Sequence, residues 1–242
     1  MSWLKRIFIF IGICVFFIIF LSWPQWYFVN AVINAKLLLE KNRFPEAIKI
    51  YINLARSRYF QNRLESKTFL EDNIAFYRDF ASAARKYADM AYEKMEYTTA
   101  VSNYEIYLIC CQEEEKLTGK KIDTLEGKMR LARVLALTGQ PEKALKILPA
   151  EGKKEIDFYR QQYTYLSSGI KIYNLAKTYK EKKQWQQSAE LLMQAGDMIN
   201  KAIGDDKELI IYYQPFLRKI DQETEELHKI IARKAGQGDG IW

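Results

Sequence analysis

The stretches that decide the fold are YNLAKTY, residues 173–179, and WQQSAELLMQA, residues 185–195. Ala176 in the first stretch lies twelve positions before Ser188 in the second, and Trp185 lies three positions before that serine. Two antiparallel helices can approach closely only where the contacting side chains are small. We therefore predict two helices joined by a short turn, with Ala176 and Ser188 at their crossing point.

The same spacing occurs three more times along the chain. The pairs of small residues, which we predict to be the repeat-packing positions, are Ala35 and Ala47, Ala88 and Ala100, Ala132 and Ala144, and Ala176 and Ser188. The bulky residues three positions before the second member are Phe44, Tyr97, Pro141 and Trp185. This pattern, with few glycines and prolines, predicts an all-α fold with about four helical hairpins over residues 24–203.

The pattern resembles the tetratricopeptide repeat, whose signature places small residues at its eighth and twentieth positions. The resemblance implies an α-solenoid of stacked hairpins with a concave face that binds peptides or helices. Two features depart from the family. The first small residues are 53, 44 and 44 positions apart, against a period of about 34 in the family, and the closing proline is missing. Other helical bundles also alternate alanine with aromatic residues, so that alternative stays open.

The resemblance further implies which side chains of each first helix line the concave face. They are Val32, Lys36, Leu39, Arg85, Asp89, Tyr92, Met129, Arg133, Ala136, Tyr173, Lys177 and Lys180. The candidate partner-binding residues are Lys36, Arg85, Asp89, Tyr92, Arg133, Tyr173, Lys177 and Lys180. Because five lining residues are basic and one is acidic, we predict a positive groove for an acidic segment or a C-terminal carboxylate. The alternative is an ordinary charged helix surface.

The N-terminal region carries fifteen consecutive uncharged and mostly large apolar residues, 7–21. With tryptophan and tyrosine on its flanks, it predicts a transmembrane helix over residues 4–23. Lys5 and Arg6 precede the run, so the positive-inside rule places the N-terminus in the cytoplasm and the domain outside. In a bacterium this is a single-pass inner-membrane protein with a periplasmic domain. The alternatives are a buried core helix and a cleaved signal peptide, for which no cleavage site stands at the expected distance.

The remaining segments give the expected domain boundaries. Residues 1–23 are the cytoplasmic N-terminus and anchor, and residues 24–203 are the repeat domain, whose first helix starts at Ser22-Trp23-Pro24-Gln25. We predict a helix over Lys153 to Lys183 that breaks near Ser167-Ser168-Gly169, and a short helix before Pro149. Residues 204–235 form an amphipathic capping helix, and residues 236–242 a flexible tail.

Residue types that carry chemistry are few. His228 is the only histidine, which excludes a two-histidine metal site. Cys14, Cys110 and Cys111 have neither metal-ligand nor disulfide spacing. We therefore predict no catalytic residue, no metal and no cofactor. The net charge of +7 permits nucleic acid as a partner, but the tether and its orientation make this unexpected.

These features together predict a membrane-anchored scaffold or adaptor that binds other proteins in a cell-envelope complex. The alternative is a permanent structural subunit of a larger membrane machine.

Overall fold

The structure, a computed structural model, describes residues 3–64, 67–149 and 154–236, and the side chains of these ranges except residues 3–21, 67 and 236. The described residues form helices and turns with no strand, which confirms the all-α class and gives a repeat-like arrangement of helices. The chain divides into two compact units.

Unit 1 comprises Met1–Lys94 and Ser102–Thr124. Its helices are α1 (Trp3–Glu40), α2 (Phe44–Arg56), α3 (Arg58–Leu64) and α4 (Leu70–Glu93), with a 3-10 turn (Lys67–Phe69) before α4. Helix α5 (Tyr97–Thr118) belongs to unit 1 from Ser102 onward. Helix α1 packs on α2, and α2 packs on α4.

The core of unit 1 is a cluster of aromatic rings around Phe76. The centroid of the Phe76 ring lies 4.5 Å from that of Phe60, 5.5 Å from that of Tyr51 and 5.7 Å from that of Phe28. The buried guanidinium of Arg63 lies 4.6 Å from the centre of the Phe28 ring. Edge-to-face and tilted rings gain more than their buried area alone provides, so this cluster fixes α1, α3 and α4 together.

Unit 2 comprises Met95–Val101 and Leu125–Trp242. After the start of α5 it contains α6 (Leu125–Leu137), α7 (Pro141–Ile147), α8 (Lys154–Glu181), α9 (Trp185–Ile203) and α10 (Lys207–Gly236). The helices pack in sequence, α6 on α7, α7 on α8, α8 on α9 and α9 on α10. The short α7 confirms the prediction of a short helix before Pro149.

The turn between the two helices of each predicted hairpin has the same backbone geometry. A residue with positive φ stands seven positions after each first small residue: Asn42 (56°), Met95 (59°), Gly139 (73°) and Lys183 (60°). Three turns share one closing hydrogen bond, from the N–H of Arg43, Gln140 or Gln184 to the carbonyl five residues earlier, at 2.8, 2.8 and 3.0 Å. This bond and the left-handed residue define a Schellman helix end. The repeat is therefore visible in the backbone as well as in the sequence.

The eight repeat-packing residues are all fully buried, with 0% exposure. In the last pair, the hydroxyl of Ser188 donates a 2.9 Å hydrogen bond to the carbonyl oxygen of Ala176. A side chain of this size is what allows α8 and α9 to cross so closely.

Two helix boundaries differ from the prediction. Helix α1 continues through Ser22 and Pro24 instead of starting anew there; proline removes one backbone donor, which a long helix can tolerate at a local kink. Helix α8 continues through Gly169. A Cβ at position 169 would lie only 2.6 Å from Cγ1 of Ile199 and 3.1 Å from the carbonyl oxygen of Ala195. This glycine serves close packing of α9 on α8, not a break.

No helix in the part of the chain that the structure describes is long and apolar enough to cross a membrane. The predicted span, residues 4–23, falls mostly on residues whose side chains lie outside that part, as do the predicted tail, 236–242, and Cys14.

Candidate partner-binding surfaces

The candidate residues of unit 1 form ion pairs within the unit. The ammonium group of Lys36 lies 2.8 Å from a carboxylate oxygen of Asp79. The Nε atom of Arg85 lies 3.9 Å from Asp89, and Asp89 also accepts a 2.5 Å hydrogen bond from the hydroxyl of Tyr104. Asp79 and Tyr104 stand outside the predicted lining set, so the sequence pattern did not include these neighbours.

Tyr92, the remaining candidate of unit 1, is half-buried on α4. Of the apolar lining positions, Val32 and Leu39 pack partly buried against the aromatic core. These side chains therefore contribute to packing within unit 1 as well as to its surface.

In unit 2, Arg133 on α6 is clamped by two carboxylates from the start of α10. Its two terminal nitrogens each lie 2.6 Å from an oxygen of Asp206, and Nη2 lies 2.8 Å from Glu208. The Arg133 side chain is only 16% exposed. Asp206 also caps α10 by accepting a hydrogen bond from the N–H of Leu209. One arginine thus joins α6 to the first turn of α10.

This clamp shifts the pKa values of its members. Burial would lower the pKa of Arg133, but the hydrogen bonds that it donates to Asp206 and Glu208 outweigh burial and raise it. Burial would likewise raise the pKa of the Asp206 carboxyl, yet the hydrogen bonds from Arg133 and from the backbone N–H of Leu209 hold it below its usual range. Burial raises the pKa of the neighbouring Tyr163 phenol. All three groups therefore keep their pairing forms at neutral pH.

Further along, α10 contacts other predicted lining residues of unit 2. The hydroxyl of Tyr213 donates a 2.8 Å hydrogen bond to the carbonyl oxygen of Ala136. The hydroxyl of Tyr173 donates to Glu223 at 3.0 Å, and burial followed by this carboxylate raises the pKa of Tyr173 to about 12. Lys180 lies 3.8 Å from Glu226.

Lys177 is placed differently from the other candidates. Its ammonium group lies 4.7 Å from the centre of the Tyr173 ring, a cation–π contact. The acidic groups that the groove was predicted to attract are thus supplied in unit 2 by α10 of the same chain. The excess positive charge counted from the sequence is offset by Asp206, Glu208 and Glu226, which come from a helix outside the lining set.

A second surface lies on α1, which we call the α1 stripe. Its members are large apolar side chains with exposures between 45 and 59%: Trp23, Trp26, Tyr27, Val29, Ile33 and Leu37. The opposite side of the same helix, with Phe28 and Ala35, is buried in the core of unit 1. Helix α1 is therefore apolar on both sides of this stretch, and the described residues cover one of these sides.

The aromatic members of the stripe were expected at a membrane interface, whereas the sequence pattern gave no role to Val29, Ile33 and Leu37. A signal was present, because a helix that is apolar all round is typical of one that is buried on all sides. This signal did not identify the exposed residues, because the sequence does not tell which side of α1 packs against the rest of unit 1.

Two cysteine thiols are buried, and the histidine imidazole is exposed to solvent. Burial raises the pKa of the Cys110 and Cys111 thiols above the ordinary value, which disfavours the reactive thiolate. His228 is exposed and lines an open cleft of about 370 Å³ between α9 and α10 with Asp197 and Asp221. Among the described residues, no cluster of histidine, cysteine and acidic side chains could hold a metal ion.

Comparison with protein-family models, curated proteins and solved structures finds no match to this chain.

Proposed function

We propose that the chain is a membrane-anchored helical-repeat scaffold, similar to tetratricopeptide proteins, that holds a partner on the α1 stripe. The observation that supports this is the exposure of six large apolar side chains along one side of α1. Contiguous apolar patches of this kind on a folded domain mark sites that contact proteins or lipids.

The anchor in this proposal is the apolar run of residues 7–21. Lys5 and Arg6 keep the N-terminus in the cytoplasm, and the chain that follows the anchor lies on the other side, which is the periplasm in a bacterium. If the bilayer ends near Trp23, the headgroup layer covers roughly the next 5–8 Å. Ile33 and Leu37 lie about 15 and 21 Å beyond Trp23 along the helix. Lipid can therefore cover Trp23, Trp26 and Tyr27, whereas Ile33 and Leu37 need protein.

The charge arrangement favours a lasting partner over a transient one. Lys36, Arg133 and Lys180 each have a carboxylate of the same chain within 4 Å, so an acidic ligand must compete with these pairs. An apolar surface has no such competition, and its contacts are insensitive to salt. The function is accordingly that of a structural subunit of a membrane complex, with the adaptor for acidic segments as the alternative. The proposal includes no catalytic step, metal, cofactor or nucleic acid.

A photo-crosslinking amino acid in place of Ile33, in native membranes, tests this function. We expect a protein adduct that forms equally at low salt and at about 1 M salt, where charges are screened beyond about 3 Å. The same amino acid in place of Leu175 on α8 is the control, because Leu175 has similar exposure, 47% against 50%. Adducts to lipid alone would refute the scaffold, and adducts that vanish at high salt would favour the adaptor.

A further inference from the structure

The α1 stripe has the spacing of a helix that pairs with another helix. Trp23, Trp26, Asn30, Ile33 and Leu37 are separated alternately by three and four residues. This is the seam of a coiled coil, in which the residues that meet the partner recur every 3.5 positions on average. Tyr27 and Val29 flank the seam, and all these side chains are exposed. We give the name seam to Trp23, Trp26, Asn30, Ile33 and Leu37.

We propose that the partner on the seam is a second copy of this chain, bound in parallel through α1. This inference rests on the proposed function and specifies its partner. Two copies inserted in one membrane with the same orientation have parallel α1 helices, so each seam residue meets its own counterpart across a two-fold axis.

The charge of the seam favours self-association. A two-fold interface brings each charged residue near its copy, where like charges repel. The chain as a whole carries a net charge of +7, yet the seam carries no charged residue. Lys36, beside the seam, is paired with Asp79 of its own chain at 2.8 Å. The next seam position is Glu40, where the uncharged surface ends.

Asn30 gives the pairing a defined register. Its Nδ2 donates a 2.8 Å hydrogen bond to the carbonyl oxygen of Trp26, and an amide has a second N–H and an acceptor oxygen besides. A single asparagine in an otherwise apolar seam pairs with its counterpart and so specifies one alignment of two parallel helices. The alternatives, shifted by one turn, would set this amide against an apolar side chain.

The exposed area of the stripe amounts to much of one side of a stable interface. Three aromatic side chains of ~150–250 Å² each, a little more than half exposed, offer roughly 350 Å². Val29, Ile33 and Leu37 add on the order of 200 Å², against the ~800 Å² per partner of a stable interface. Residues 7–21 precede the seam on the same continuous helix, so a shared membrane anchor would raise the effective concentration of one copy near the other.

Disulfide cross-linking of the full-length chain in membranes tests the proposal, in a Cys14→Ser background. We expect Ile33→Cys and Trp26→Cys to give a dimer of twice 28.6 kDa on oxidation. Gln25→Cys is the control, because residue 25 is exposed on α1 but lies off the seam. Equal yields at Gln25 and Ile33, or no dimer at either seam position, would overturn the pairing.

A second variant tests the apolar contact itself. Ile33→Glu places two carboxylates face to face, and we expect it to lower the yield of the Trp26→Cys dimer at least tenfold. Leu175→Glu is a matched control on α8 and should leave the yield unchanged; an equal loss from both would contradict a role for the seam.

The photo-crosslink at position 33 separates the two proposals. An adduct of dimer mass supports both. An adduct to a different protein alone overturns self-pairing and keeps the scaffold, and an adduct to lipid alone overturns both.

Discussion

Unit 1 and unit 2 contain the same kind of hairpin turn and the same pattern of buried small residues, but their surfaces differ. In unit 1 the interior is a cluster of stacked and tilted rings around Phe76, and the outer side of α1 stays apolar and exposed. In unit 2 three of the four candidate groove side chains, those of Arg133, Tyr173 and Lys180, are bonded to α10 or to its N-cap residue Asp206.

The difference shows how one hairpin plan can yield either a closed face or an open one. In unit 2, carboxylates from its own last helix pair with the polar face. An acidic ligand would have to displace these carboxylates to bind there. Unit 1 leaves an apolar face that its described residues do not cover. The variants below test whether unit 1 depends on ring packing and unit 2 on its polar clamp.

The largest effect should come from the ring cluster of unit 1. Phe76→Ala removes a ring that contacts five others and leaves a cavity, so we expect a loss of about 4 kcal/mol in the free energy of unfolding. Urea unfolding in detergent, with hydrogen exchange of α4 peptides, measures it. Ile33→Ala is the control and should cost well under about 1 kcal/mol, because its side chain is half exposed. A small loss at Phe76 would mean that ring packing does not dominate unit 1.

The next effect should come from the clamp of unit 2. Arg133→Met leaves Asp206 and Glu208 without their shared cation, and we expect a loss of about 3 kcal/mol, since removing one partner of a largely buried pair is costly. Faster hydrogen exchange in the first turns of α10 should accompany it. Arg130→Met on the same helix is the control, because Arg130 pairs with Glu126 at the surface and should cost about 0.5 kcal/mol or less. Equal effects at the two arginines would contradict the clamp.

A smaller effect should come from close helix packing in unit 2, where substitutions at two glycines are expected to change stability in opposite directions. Gly169→Ala places a methyl group against Ile199 and the carbonyl of Ala195, and we expect a loss of about 2 kcal/mol from overpacking. Gly196→Ala on α9 meets Cγ2 of Ile220 at an ordinary 3.7 Å. It should therefore leave stability unchanged or raise it by up to about 1 kcal/mol, because alanine is the better helix former. Thermal melting of both variants checks the opposite signs.

The smallest effect should be a loss of stability at the start of α10 at acidic pH. Because the folded state holds the pKa of Asp206 below its unfolded value, its contribution is present above about pH 4 and is lost as the pH falls below that. We expect α10 peptides to exchange faster than α4 peptides between about pH 5 and pH 3. Asp206→Asn should flatten this dependence, and an unchanged profile in that variant would assign the acid sensitivity to other carboxyl groups.

Much of the helical framework could be predicted from spacing alone. The small residues predicted the hairpins because a close crossing admits few side chains, and the ends of α8 and α10 fell near the predicted positions. Gly169 was misjudged because glycine either breaks a helix or admits a neighbour, and only the position of Ile199 decides between these. The pairing of Arg133 with Asp206 joins residues 73 positions apart, beyond what a local pattern can indicate.

The continuous helix α1 has a mechanical consequence. Residues 7–21 and the outer side of unit 1 belong to one rod with no loop between them, so the direction in which each surface faces is set by rotational phase. Inserting one residue between Leu21 and Trp23 would turn the rest of unit 1 by about 100° relative to residues 7–21. Seven inserted residues would complete almost two turns and nearly restore the original facing. The length of this rod, and not only its composition, determines which faces of unit 1 are presented to a neighbour.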